Sequence, residues 1–398
     1  MKFGYGHEMP YLYGMQDSCG NVKRNIPSKQ NAIITISRKR NHPKMEQNNH
    51  PLISFGIPVY NAAGLIERTL LSALDQTYPN IEYLFVDDKG NSMDIVRRVV
   101  NGHPRGHAVR IIDQQRNQGI AVARNAILDH AQGEYLFTMD CDDVIVPDCI
   151  EILYNQMRSH PVDFVAASFV RMDMNGNTYK GCRYDDTIVE GGTYPVARYR
   201  YGEGKELFVA SWNKLYRLDF LKKHDIRCRP GHYNEDPWFT YQVILNARSC
   251  HLIPHCTLYY TCNPESVSGL SASRGYTEKI ARQYVEIQQL KSNYIRPLTA
   301  ETFYRNLLAD IMQMSLYHAY RIADSRLLPA ALRKELMRQI LSVCFTAPAR
   351  GHGGKRTAKY LLLRVFFSLP MTLKCGMVGL GRTLQVKKRI SRWVHFKH

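Results

Sequence analysis

Three carboxylates crowd the end of one apolar run. In "GEYLFTMDCDDVIVPD", residues 133–148, Tyr135 to Met139 lead directly into Asp140, Cys141, Asp142 and Asp143. Asp is common in turns and at helix starts, and Pro147 signals a following helix. That accounts for one acid, not three. Carboxylates about 4 Å apart repel by about 4 kcal/mol per pair at an effective dielectric of about 20. One of them is pushed towards protonation unless a cation sits among them. A hard divalent cation with oxygen ligands, Mg²⁺ or Mn²⁺, removes the conflict. Cys141 is soft and is expected to point into the fold, away from such an ion.

A second acidic pair lies in "HYNEDPWFTYQVILNA" (232–247), which carries Glu235 and Asp236. A positioned carboxylate can take a proton from an attacking hydroxyl and accelerate the attack by roughly 10²–10⁴-fold. The structural alternative is a helix start, with Asp236 as N-cap and Pro237 as the first helical residue. In "SWNKLYR", Trp212 can stack on a ligand or serve the core, beside the polar Asn213 and Lys214. "CHLIPHC" (250–256) holds two Cys and two His, but its alternating, Tyr-rich continuation reads as a strand.

The elements that must position these groups alternate. Apolar runs at 52–61, 81–88, 108–113, 135–139 and 162–170 read as strands. Between them, 64–76, 92–102, 117–133 and 147–159 read as helices, the first with Leu65, Ile66, Thr69, Leu70 and Ala73 at helical spacing. This order predicts an α/β fold with a parallel, doubly wound sheet. Ligands bind such sheets beyond the carboxyl ends of the strands. Those ends carry Tyr60 and Asn61, Asp87 and Asp88, and Asp140 to Asp143. No GxGxxG or GxxxxGK[ST] loop follows the first strand, which argues against a dinucleotide dehydrogenase and a P-loop enzyme.

The formal net charge of +18 is uneven. The first fifty residues carry 8 Lys/Arg against 3 Asp/Glu, and residues 351–398 carry 11 Lys/Arg and no acid, which leaves the middle nearly neutral. A nucleic-acid enzyme carries its positive charge on the folded surface that meets the substrate, so none is expected as a partner. Basic ends suit an anionic lipid surface or solvated tails. Residues 1–50 read as a disordered basic segment, without the apolar stretch of a signal peptide. Met45, just before the patterned chain, is a second candidate start. The ten cysteines contain no CxxC pair, as expected of reduced, cytoplasmic thiols. Residues 276–350 read as helical. Within 351–398, Leu361 to Leu369 are apolar except Arg364, and Pro370 and Lys374 break the apolar stretch after Leu369. A spanning helix wants about 20 apolar residues; a basic amphipathic segment with Trp393 fits the membrane interface.

The blocks "IPVYN", "DQTYPNIEYLFVDD", "NQGIAVARNAILDHAQGEYLFTMDCDD", "SWNKLYR" and "NEDPWF" together resemble the family 2 glycosyltransferases of the GT-A fold. The resemblance runs from about residue 51 to 270, in the family's order and spacing, and implies a catalytic domain over 51–275. It implies a Rossmann-like sheet with helices on both faces, a nucleotide-sugar donor, a divalent metal and an inverting transfer. By this resemblance Tyr60 stacks on the base, Asp88 accepts from the base N–H, and Arg124 reaches the nucleotide. Asp140 and Asp143 contact the donor, Asp142 ligates the metal, and either Asp142 or Asp143 can be the direct ligand. Asp236 becomes the expected general base, with Glu235 and Trp212 beside the acceptor or sugar. UDP is the family's most frequent donor base. Two departures stand out. Thr261 and Cys262 follow the tyrosines where the family often has Arg, and Lys89, Gly90 and Asn91 replace the common Gly-Ser.

The expected protein is thus a cytoplasmic, metal-dependent glycosyltransferase on the inner face of the cell membrane, extending a surface glycan on a lipid-linked acceptor. The alternatives are a catalytically inactive homologue that only binds, and a nucleotidyltransferase.

Overall fold

The computed structural model describes residues 50–232, 235–263, 266, 275–343 and 357–383. The expected disordered segment 1–50 lies, His50 apart, outside these residues, as do 344–356 and 384–398 of the C-terminal region.

Ten strands form one sheet in the order β3-β2-β1-β4-β9-β6-β10-β5, with β7 beside β6 and β8 beside β10. β1 (Ile53–Val59) is buried along its whole length, the signature of a strand covered on both faces. It pairs in parallel with β2 (Ile81–Asp87) and β4 (Tyr135–Thr138), and β2 pairs in parallel with β3 (Val109–Asp113). The register sets Val59 opposite Asp87 and Asp87 opposite Asp113, so these strands end at one level.

The helices α1 (Ile66–Leu74), α2 (Met93–Gly102) and α3 (Ile120–His130) are the crossovers. α1 buries Ile66, Thr69, Leu70, Ala73 and Leu74, a stripe of helical period; Leu65 stands just before the helix. The strand order reverses at β1, so right-handed crossovers put α1 and α2 on one face and α3 on the other. α3 packs on β1 and β2 through Gly56, where any Cβ would meet Ile127 at 2.2 Å. The reversal leaves a crevice between the ends of β1 and β4, where α/β sheets bind ligands.

Beyond β4 the expected all-parallel sheet gives way to a mixed one. β9 (Lys214–Arg217) inserts antiparallel between β4 and β6 (Phe164–Met172). β10 (Ser249–Thr261), which contains "CHLIPHC", runs parallel to β6 and antiparallel to the two-residue β5 (Val144–Ile145) and to β8 (Thr187–Glu190). β7 spans Thr178–Cys182. The helices α4 (Cys149–Ser159), α5 (Leu218–Lys223) and α6 (Asp236–Asn246) complete this half.

Among the described residues, five further α-helices come after β10: α7 (Glu278–Tyr294), α8 (Tyr304–Asp324), α9 (Ala330–Leu341), α10 (Thr357–Ser368) and α11 (Met371–Thr383). Leu307, Leu308, Ile311 and Met312 of α8 join the main core, so the helical part shares the sheet's hydrophobic interior. Ala319, Ile322, Leu336, Ile340 and Val378 form a second core among the helices.

Candidate active site

The acidic run after β4 turns back on itself. Ligand oxygens of Asp140, Asp142 and Asp143 all lie within 4.8 Å of one another. Burial raises all three carboxyls above their usual range, and mutual repulsion adds to it at Asp142 and Asp143; Asp142 is pushed up to about 7. At Asp140 the Arg124 guanidinium works against burial.

Asp143 has no solvent exposure. One of its oxygens accepts from the Thr261 N–H at 2.8 Å, and Oδ2 has no hydrogen-bond partner. An unpaired buried oxygen beside two crowded carboxylates is a set of hard oxygen donors, so the residues fit a hard divalent ion. The half-buried Cys141 thiol is pushed up to about 12 by desolvation and by the neighbouring Asp142, so it stays protonated, unfit for such an ion.

Arg124 joins this cluster to the second acidic pair. It sits on α3 with its side chain 5% exposed. Its Nη2 donates to Asp140 Oδ1 at 2.6 Å and its Nε to Glu235 Oε1 at 2.9 Å. The same Nη2 lies 4.0 Å from Asp236. The guanidinium expected to reach the nucleotide is thus engaged by the protein's own carboxylates. Glu235 is buried; burial pushes its carboxyl up to about 8 although Arg124 pulls the other way.

Asp236 is the first residue of α6, so the cap position falls to Glu235, not to Asp236 as the sequence suggested. The Glu235 side chain makes no capping bond; its carboxylate is committed to Arg124. Asp236 Oδ1 accepts from the Ser211 N–H at 2.9 Å. Its side chain keeps 25% exposure, open to a substrate where Glu235 is not.

Two further positions lie at the strand ends. Tyr60, after β1, is 46% exposed and free to meet a flat ligand. Asp88, after β2, is buried, and its carboxylate accepts from the N–H groups of Gln118 and Gly119 just before α3. It therefore also ties β2 to the start of the Arg124 helix.

Trp212, expected beside the acceptor or sugar, is packed in the core. It is 4% exposed and stacks on Tyr260, with ring centroids 5.4 Å apart, while Phe169 meets it edge-on at 4.9 Å. An indole enclosed by aromatic neighbours has no open face for a sugar.

Arg68 of α1 escaped the sequence reading. Its Nη2 donates to the Asp142 carbonyl at 3.1 Å and to the Thr261 hydroxyl at 2.8 Å. Thr261, noted only as a departure, therefore contacts both Asp143 and Arg68. A lone Arg in an amphipathic helix looks like any solvated residue, so no local pattern marks it.

The "Glycosyl transferase family 2" profile matches residues 54–225. An uncharacterized glycosyltransferase of Haemophilus influenzae is 36% identical over 134 residues, 33% of this chain and 52% of that protein. The Streptococcus pneumoniae glycosyltransferase GlyG is 34% identical over 142 residues, 35% of this chain and 46% of that protein. The chain thus spans about half the length of these two relatives. The Escherichia coli glycosyltransferase YibD aligns at 25% identity over 72% of this chain and 81% of its own length. Among solved structures, Staphylococcus aureus TarS 1-349 in complex with UDP-GlcNAc has the same fold, with TM-score 0.50, 16% identity, and coverage of 87% of this chain and 92% of that one. The parallel strands that end together, the acidic turn after β4 and these matches agree: residues 54–225 form a domain similar to the family 2 glycosyltransferases, on a sheet with the fold of TarS.

Proposed function

We propose that the protein is an inverting, metal-dependent glycosyltransferase that moves a sugar from a nucleotide-sugar donor, with UDP as its base, to a glycan or lipid-linked acceptor. One observation carries the reading. A single guanidinium nitrogen lies 2.6 Å from Asp140 and 4.0 Å from Asp236, so the donor-side acids and the open acid of α6 share one pocket edge. The TarS structure holding UDP-GlcNAc supports the donor class.

Asp142, or Asp143 with its unpartnered Oδ2, would hold Mg²⁺ or Mn²⁺, and Asp140 would contact the donor; the ion, when bound, would neutralise the charge on the leaving nucleoside diphosphate as a Lewis acid. Tyr60 stacks on the donor base. Asp236 takes the proton of the acceptor hydroxyl as that oxygen attacks the sugar carbon opposite the leaving group. The Ser211 N–H fixes the orientation of Asp236. Arg124 holds Asp140 and Glu235 in place from beneath. In this reading the protein works in the cytoplasm, peripheral on the inner face of the cell membrane, in surface polysaccharide assembly; the basic C-terminal region supports that placement.

The test is nucleoside-diphosphate release from a panel of nucleotide sugars with Mg²⁺ or Mn²⁺, comparing wild type with Asp142→Asn and Asp236→Asn. Metal-dependent release from one donor, lost in both variants, is the expected result. Absence of donor binding in calorimetry with either metal overturns the reading in favour of an inactive homologue.

A further inference from the structure

We propose that the bent helix pair α10–α11 is a docking surface for an anionic lipid bilayer, lying in its outer layer without crossing it. This rests on the membrane placement proposed above and adds the surface that performs it.

Six large apolar side chains on the pair face outward: Leu361, Leu362, Val365, Leu373, Met377 and Leu380, each between 48% and 70% exposed. They are spaced i, i+1, i+4 on α10 and i, i+4, i+7 on α11, which makes one stripe per helix. The opposite side is held by the protein. Tyr360, Leu363 and Val378 are buried, and the buried Lys374 ammonium donates to the Leu341 and Phe367 carbonyls, each at 3.2 Å. These carbonyls belong to the last turns of α9 and α10. One lysine thus fastens α11 to both helices and keeps the apolar stripes turned away from the core.

The occupant is set by length and charge. Among the described residues no single helix is long and apolar enough to cross a membrane; α10 and α11 pass only together, and they bend by 116° between them. Helices of 12 and 13 residues reach only about 18–20 Å each, short of the ~30 Å hydrocarbon core. Apolar stripes of this length lie along an interface. Besides the buried Lys374, residues 351–398 add ten Lys/Arg and no acid, the complement of an anionic lipid surface and a poor match to a second copy of the same basic region.

The experiment is co-sedimentation of the full chain with vesicles of phosphatidylcholine alone or mixed with phosphatidylglycerol, at low and high salt. Wild type is compared with Leu362→Ser/Leu380→Ser, and both are sized in solution. Expected are binding to the anionic vesicles with a salt-resistant fraction, and a loss of at least about tenfold in the variant, in which that fraction disappears. Nucleotide release from a soluble donor is expected to be the same in both. Equal partitioning of the two proteins at high salt overturns the helix pair as the docking element and leaves the membrane placement standing. No partitioning of wild type onto anionic vesicles overturns both. A wild-type dimer that the variant turns into a monomer assigns the stripes to self-association and overturns the proposal.

Discussion

Replacing Arg124 by Met removes a buried guanidinium and keeps most of the side-chain volume. Its partners Glu235 and Asp140 then lose their counter-ion inside the protein. Breaking a buried ion pair by deleting one member costs about 3–5 kcal/mol, because a buried charge is left uncompensated. Glu235 decides how much of this is felt. Its folded value, about 8, lies far above the ~4.3 of a free glutamate. A raised acid stabilises the fold in its protonated form; the contribution is complete below the free value and is lost as pH rises through the folded one. Removing Arg124 takes away the largest attraction that opposes burial, so the value climbs further. The variant is therefore expected to be destabilised at both pH values, and by up to about 0.8 kcal/mol more near pH 8.5 than near pH 5, because a Glu235 that stays protonated at pH 8.5 forgoes only its ionisation at about 8. Arg124→Lys keeps the charge but not the fork that binds two carboxylates, and is expected to fall between. Urea unfolding of the full chain at the two pH values measures this. A deficit that does not grow from pH 5 to pH 8.5 refutes the claim that Arg124 neutralises a buried Glu235.

The same geometry sets other outcomes. Asp236→Asn is expected to lower transfer by roughly 10²–10⁴-fold with donor affinity nearly unchanged, read by initial rates and calorimetry. Chelation with EDTA is expected to stop nucleotide release, and Mg²⁺ or Mn²⁺ to restore it. A raised Asp142 must lose its proton to bind a cation, so Mn²⁺ affinity is expected to climb as pH rises towards about 7 and then level off, measured by titration calorimetry. Gly56→Ala sets a Cβ 2.2 Å from Ile127 and is expected to cost about 1–3 kcal/mol in urea unfolding as α3 is pushed from the sheet.

The alternation of elements and the polar ends of the strands were determined by the sequence alone. β1 to α4, the two-residue β5 apart, match the apolar runs and the period-3.6 patterns closely, because each signal lies within a few residues and needs no distant partner. Asp140, Asp142 and Asp143 were legible for the same reason: three acids on one short turn repel whatever the rest of the chain does. The tertiary structure alone decided who neutralises whom. Arg124 meets Glu235 across 111 residues, and the Thr261 N–H meets Asp143 across 118. It also decided that Trp212 belongs to the core, since Tyr260 and Phe169 reach it only through the pairing of β6 with β10. Likewise β9, four residues long, is too short for a periodic signal, and its antiparallel place between β4 and β6 is set by strand pairing. Charges and aromatic faces act over a few ångströms, and only the folded chain brings residues so far apart in sequence within that reach.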